Sequence, residues 1–188
     1  MEITEQQFLK VSEFVQSKLD SLNWQHTLEI RPIAQKLAHL EKADKTIVDV
    51  AVLFHDLGKT KGNEGHADRS ADMARKFLEN EKFEQRLVEE VVYCIKVHSS
   101  PWHNESSLLS TPEAKVLFDA DMIQQLSKFG IIKHILYFQE IFQNDFKEGL
   151  IKSRDTLFQA YNLIITENGR KLAEPGYKFV KDFFKDLI

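Results

Sequence analysis

Five apolar residues, Val50 to Phe54, run directly into His55 and Asp56, and Leu57, Gly58 and Lys59 follow. An imidazole next to a carboxylate can bind a cation, hold a proton or orient water. The apolar run reads as a buried helix and Gly58 as its stop, because glycine accepts a left-handed backbone without penalty. That reading puts the pair in the helix's last turn, where the macrodipole leaves about half a negative charge. Little water can reach an ionised carboxylate there. A bound cation resolves the conflict, and both side chains are good ligands for a hard or borderline divalent metal.

Further groups of the same chemistry recur at helical spacing. His26, Ile30, Ile33 and Leu37 fall at steps of four, three and four, so His26 belongs to a buried face. His66 stands at the mouth of a helix and shares a face with Ser70, Met73 and Phe77. Leu87, Val91, Cys94 and His98 repeat the same arithmetic and place His98 at the inward end of another helix. Ala114, Leu117 and Asp121 share a face, whereas Asp119, about 200° from Asp121, points elsewhere. One histidine on an apolar face is ordinarily a hydrogen-bonded core residue, and Cys94 alone reads as a small core residue. Four helices that each deliver an imidazole or carboxylate inward are another matter. Such groups, converging in an apolar bundle, need each other or a metal.

The elements that must position them follow from caps and breakers. Thr4 to Gln7 is a capping box that opens a helix to about Asp20. Asn23 is expected to cap the second helix, which Pro32 should bend just after His26. Asp44 is expected to cap the third, which ends in the His-Asp pair. Residues 58–65 hold three glycines, a loop able to bring backbone amides close to a ligand. The fourth helix starts near His66, and the fifth runs from about Phe83 to His98. Ser99 to Ser107 is the longest polar stretch and a candidate lid. Thr111-Pro112 starts a sixth helix. Helices near Ile131 to Phe146, Ser153 to Asn168 and Pro175 to Leu187 are rich in phenylalanine and tyrosine and read as structural.

Composition narrows the class. The chain has 188 residues, only seven glycines and four prolines, and helical rather than alternating periodicity, which together predict a compact, single-domain, all-α bundle. A net charge of −4 argues against a protein built to coat duplex nucleic acid, while leaving a nucleotide open as substrate. A single cysteine fits a reducing cytoplasm, and no apolar run reaches membrane-spanning length, so a cytoplasmic protein with no membrane partner is expected.

His26, the His55-Asp56 doublet and the later Asp121 together resemble the pattern of the HD superfamily of metal-dependent phosphohydrolases. The local stretches are similar too: His26-Thr27-Leu28-Glu29-Ile30, Leu53-Phe54-His55-Asp56-Leu57-Gly58-Lys59 and Asp119-Ala120-Asp121. The resemblance covers about residues 22 to 130. It implies a single HD-type helical domain with its metal-binding core there and structural helices over 131–188. It also implies His26, His55, Asp56 and Asp121 as metal ligands, with His66 and His98 matching additional histidines of two-metal members, in which Asp56 would bridge the ions. Ser99 stands where some of those branches have histidine, and Met122 where many members have arginine after the last aspartate.

The activity implied is hydrolysis of a nucleotide or other small phosphate ester by metal-activated water. The cofactor would be one or two divalent ions drawn from Mn, Fe, Ni, Zn or Mg. Asp56 would ligate and orient the water, Lys59 would contact phosphate with Lys61 and Arg69 beside it, and Asp119 would support the site from behind. The same ligands filled with two irons would activate oxygen, and a non-catalytic nucleotide sensor is a third reading. A homo-oligomer is also compatible with the aromatic C-terminal third.

Overall fold

Helices begin in this chain where a side chain can accept the orphan amides of a first turn. Thr4 does so reciprocally with Gln7: its hydroxyl accepts from the Gln7 amide at 3.1 Å, and the Gln7 side chain accepts from the Thr4 amide at 2.9 Å. This opens α1, Glu5–Gln16, which stops a turn earlier than expected. Asp20, not Asn23, caps α2, Ser21–Leu40: its carboxylate accepts from the Asn23 amide at 2.9 Å. Both residue types suit a cap, and the one placed earlier takes the role, so Asn23 becomes part of the first turn. The helix continues past Pro32 to Leu40. Asp44 caps α3, Lys45–Phe54, as expected, accepting from the Thr46 and Ile47 amides at 2.9 and 3.3 Å.

A 3-10 turn, Leu57–Lys61, leads to α4, His66–Asn80, and then α5, Gln85–Val97. The polar stretch after α5 folds into two short 3-10 turns, Ser100–His103 and Ser106–Leu108. Thr111 then accepts from the Ala114 amide at 3.2 Å and opens α6, Pro112–Gln125. The remaining helices are α7, Lys128–Phe142, α8, Phe146–Leu163, and α9, Glu167–Lys185. The computed structural model describes residues 3–143, 145–185 and 187–188, and no strand occurs among them, so the fold is all-α. Asn144 and Asp186, which the sequence assigns to helices, lie outside the described residues. No helix among the described residues is long and apolar enough to cross a membrane.

The chain divides into two compact units, 1–118 and 119–188, at a boundary inside α6 where the sequence has no linker. In the first, α3 is the central element. Ile47, Val48 and every residue from Val50 to Phe54 are buried, among α1, α2, α4 and α5. Each large apolar side chain so placed contributes roughly 1.5–3 kcal/mol, which is why the most apolar helix takes the centre. Phe14 of α1 stacks on Phe77 of α4 at 4.3 Å, and Phe54 packs on both.

In the second unit, α7 packs on α8 and α8 on α9. The buried Asp119 carboxylate accepts from the Ile165 and Thr166 amides at 2.8 Å each and from the Thr166 hydroxyl at 2.7 Å. It therefore fixes the turn between α8 and α9. Thr166 in turn accepts from the Gly169 amide at 2.9 Å, so α9 starts well before Pro175, which lies in its interior. Ser153, read as a helix start, is likewise interior to α8 and donates back to the Gly149 carbonyl at 2.7 Å.

Candidate metal centre

α3 ends at Phe54 and His55 is its C-cap residue, so Asp56 stands just past the helix with φ −104° and ψ 4°, not in the last turn. Gly58 does not have the left-handed backbone expected of a stop; Gly62 and Gly65 do. What Gly58 permits is close approach of α4. A Cβ there would overlap the His66 carbonyl oxygen and lie 2.8 Å from the Ser70 nitrogen. The buried Ser70 hydroxyl accepts from the Gly58 amide at 2.8 Å. These contacts hold the start of α4, and with it His66, against the His55-Asp56 pair.

Three of the histidines are oriented by one device. His55 Nδ1 donates to the Val52 carbonyl at 2.8 Å, His66 Nδ1 to Asn63 at 2.7 Å, and His98 Nδ1 to Ile95 at 2.5 Å. A carbonyl oxygen only accepts, so each Nδ1 carries a proton and Nε2 is the nitrogen that can offer a lone pair to a ligand. All three Nε2 atoms turn toward Asp56. The carboxylate sits between two pairs of imidazoles: Oδ2 is 3.5 Å from both His26 and His55 Nε2, while Oδ1 is 3.5 Å from His66 and 3.7 Å from His98. His26, His55, Asp56 and His98 are all buried, in an apolar surround.

This arrangement fits a metal. Ligands bound at about 2.1 Å to one ion stand roughly 3.0–3.5 Å apart, close to the 3.2–3.7 Å found here. Two groups of three donors lie within 4.8 Å of one another, His26-His55-Asp56 and Asp56-His66-His98, with Asp56 common to both. His55 Nε2 and Asp56 Oδ1 are buried without a hydrogen-bond partner. His66 and His98 also face each other Nε2 to Nε2 at 3.2 Å. A shared cation would satisfy all of these atoms.

The electrostatics agree. Burial acts to raise the Asp56 carboxyl, but the attraction of His55 and Lys59 and the approach of the His26 ring outweigh it and hold the group well below the usual carboxylate range. Burial pulls His66 from 6.5 to about 4 against the attraction of Asp56, with Lys59 and His98 adding to the depression. The ring is therefore neutral near pH 7, the form that ligates.

Lys59 Nζ donates to Asp56 Oδ2 at 2.6 Å. Lys61 is exposed on the same loop. Arg69, expected to reach phosphate, spends its guanidinium on the loop itself, donating to Gly58 O at 3.1 Å, to Glu64 O at 2.5 Å and to Gly62 O. After His98, Ser100 and Pro101 are buried while residues 103 to 108 are exposed, so the candidate lid is anchored at its start. Asp121 is buried on α6 within the second unit, two residues beyond Asp119. The orienting carbonyls of Val52, Asn63 and Ile95, and Ser70 behind Gly58, were not anticipated. A signal existed for two of them, because a histidine at a helix C-cap lies within reach of the unsatisfied carbonyls of the last turn.

The family profile described as HD domain matches residues 23–126. Bacillus subtilis YpgQ in complex with ADP has a similar structure, with a TM-score of 0.76 at 22% identity over 97% of this chain and 93% of that one. An HD-superfamily hydrolase from Bacillus thuringiensis gives 0.72 at 19% identity, over 97% and 95% of the two chains. A further HD superfamily hydrolase, from an uncultured Thermotogales bacterium, gives 0.66 at 22% identity, over 97% and 90%. Likeness at these identities establishes a shared fold. No curated protein matches the sequence.

Proposed function

The chain belongs to the HD-domain family, and on that premise we propose that it is a divalent-metal-dependent phosphohydrolase of a nucleotide or another small phosphate ester. The observation that carries the reading is the single buried carboxylate of Asp56 set between two pairs of imidazole Nε2 atoms. His26, His55 and Asp56 would hold one ion, Asp56, His66 and His98 a second, and Asp121 is the proposed further ligand. A bound ion supplies Lewis acidity and lowers the pKa of water from about 16 toward about 7.

The chain's own residues do the rest. Asp56 keeps its negative charge and accepts a hydrogen bond from water, orienting it for attack. His55, His66 and His98, braced on backbone carbonyls, keep their rings fixed with Nε2 toward Asp56. Lys59 brings positive charge to the rim for a phosphoryl oxygen, with Lys61 beyond it, and Arg69 serves by holding the carbonyls of the loop that carries both. The ADP bound by the similar YpgQ supports a nucleotide as the substrate class.

The test pairs elemental analysis with a phosphate-release screen over nucleotides and small phosphate esters. His55→Ala and Asp56→Ala should lose both metal and turnover, and Asp121→Asn should lose turnover. Turnover that survives in the first two variants, or oxygen consumption without phosphate release, would overturn the proposal.

A further inference from the structure

Lys59 places its ammonium 2.6 Å from Asp56 Oδ2, the same oxygen that faces His26 and His55. An ion held by those three donors needs a lone pair of that oxygen. Two cations on one carboxylate oxygen come within about 4 Å of each other, and in a buried setting their repulsion is strong. Either the ammonium leaves or the metal binds weakly.

The surroundings decide where the ammonium can go. The Asp56 side chain is 1% exposed while that of Lys59 is 26% exposed, so the lysine spans from the buried carboxylate to solvent. Its backbone cannot follow, because Arg69 ties the carbonyls of Gly58, Gly62 and Glu64, and Ser70 holds the Gly58 amide. Movement is confined to the flexible four-carbon stem. Outside, the exposed Lys61 adds positive potential where an anion would arrive.

We propose that Lys59 competes with the metal for Asp56 Oδ2 and that an anionic ligand relieves the competition by drawing the ammonium outward. Metal and phosphate then bind cooperatively, each tightening the other by the same factor. This inference rests on the metal-dependent reading above and adds to it a coupling set by one side chain.

The experiment measures Mn2+ affinity, by competition with a chromophoric chelator, on metal-stripped full-length wild type, Lys59→Met and Lys59→Arg. Each is titrated with and without saturating inorganic phosphate. Without phosphate, Lys59→Met should bind Mn2+ at least about tenfold more tightly than wild type. Phosphate should tighten Mn2+ binding severalfold in wild type and Lys59→Arg but leave Lys59→Met unchanged. Equal or weaker Mn2+ binding by Lys59→Met, or phosphate coupling that persists in it, overturns the inference and leaves the metal-dependent reading intact. Absence of Mn2+ binding in wild type and all variants overturns both.

Discussion

A single methyl group at position 58 should separate the two halves of the metal centre. Gly58 has no positive φ to lose, so Gly58→Ala is purely a steric change. The new Cβ would overlap the His66 carbonyl oxygen and stand 2.8 Å from the Ser70 nitrogen and 2.9 Å from the Arg69 Cβ. Ordinary contact begins near 3.5 Å, so the start of α4 must retreat by about 0.7 Å at the Ser70 nitrogen and further at the His66 carbonyl. That retreat stretches the 2.8 Å bond from the Gly58 amide to Ser70 beyond useful length. Overpacking costs about 1–3 kcal/mol and the lost buried hydrogen bond about 1 kcal/mol, giving a destabilisation of roughly 2–4 kcal/mol. Meanwhile His66 withdraws from Asp56 and His98, while His26 and His55, on α2 and at the end of α3, stay in place.

Urea unfolding followed by circular dichroism reads the first effect, and metal titration reads the second. We expect a lower midpoint, and one equivalent of metal weakened at least tenfold with the other near its wild-type affinity. Gly62→Ala is the control: nothing lies within 4 Å of its Cβ but its φ is +100°, so it should cost about 1–2 kcal/mol and leave metal binding alone. Wild-type stability and two unaltered equivalents in Gly58→Ala would refute the argument.

Other outcomes follow from groups already described. Asp119→Ala strands two amides and a hydroxyl in the second unit and should cost about 3–5 kcal/mol in denaturant, with Asp119→Asn intermediate; a loss under about 1 kcal/mol would contradict the anchoring role. The folded His66 ring protonates only near pH 4 whereas the unfolded ring does so at 6.5, so the unfolded state takes the proton first as pH falls. Stability of the metal-stripped protein should therefore drop by up to roughly 3 kcal/mol between pH 6.5 and 4, and a urea midpoint constant or rising across that window would be inconsistent with it. Burial, with the nearby Glu113, pushes the Cys94 thiol up to about 12, so a thiol reagent at pH 8 should modify it only after denaturation; fast labelling of native protein would show the site to be open.

Periodicity and caps carried most of this fold in the sequence. The four-three-four spacing of His26 and His98 put both rings on buried faces, and Thr4, Asp44 and Thr111 started their helices as expected. Misplaced boundaries arose where one residue type has two uses. Ser153 suits a cap but also bonds back within a helix, and Pro175 suits a first turn but sits inside α9, because Asp119 and Thr166 set the earlier start. Gly58 was marked by the sequence for a backbone angle, whereas its value is the absence of a side chain beside α4. That reason depends on a partner twelve residues away, which local pattern does not carry. Arg69 was similarly unreadable: a cation near a glycine-rich loop suggests a ligand contact, and only the folded loop presents its carbonyls instead.

The bracing of three imidazoles on the carbonyls of Val52, Asn63 and Ile95 has a kinetic consequence. Ring rotation and tautomer choice are settled when the helix ends form, so no search over side-chain conformations stands between an arriving ion and its ligands. The slow event in loading then belongs to the ion, which must shed its own water. Ions should enter in the order of their ease of dehydration, with tightly hydrated Mg2+ slower than the larger Mn2+.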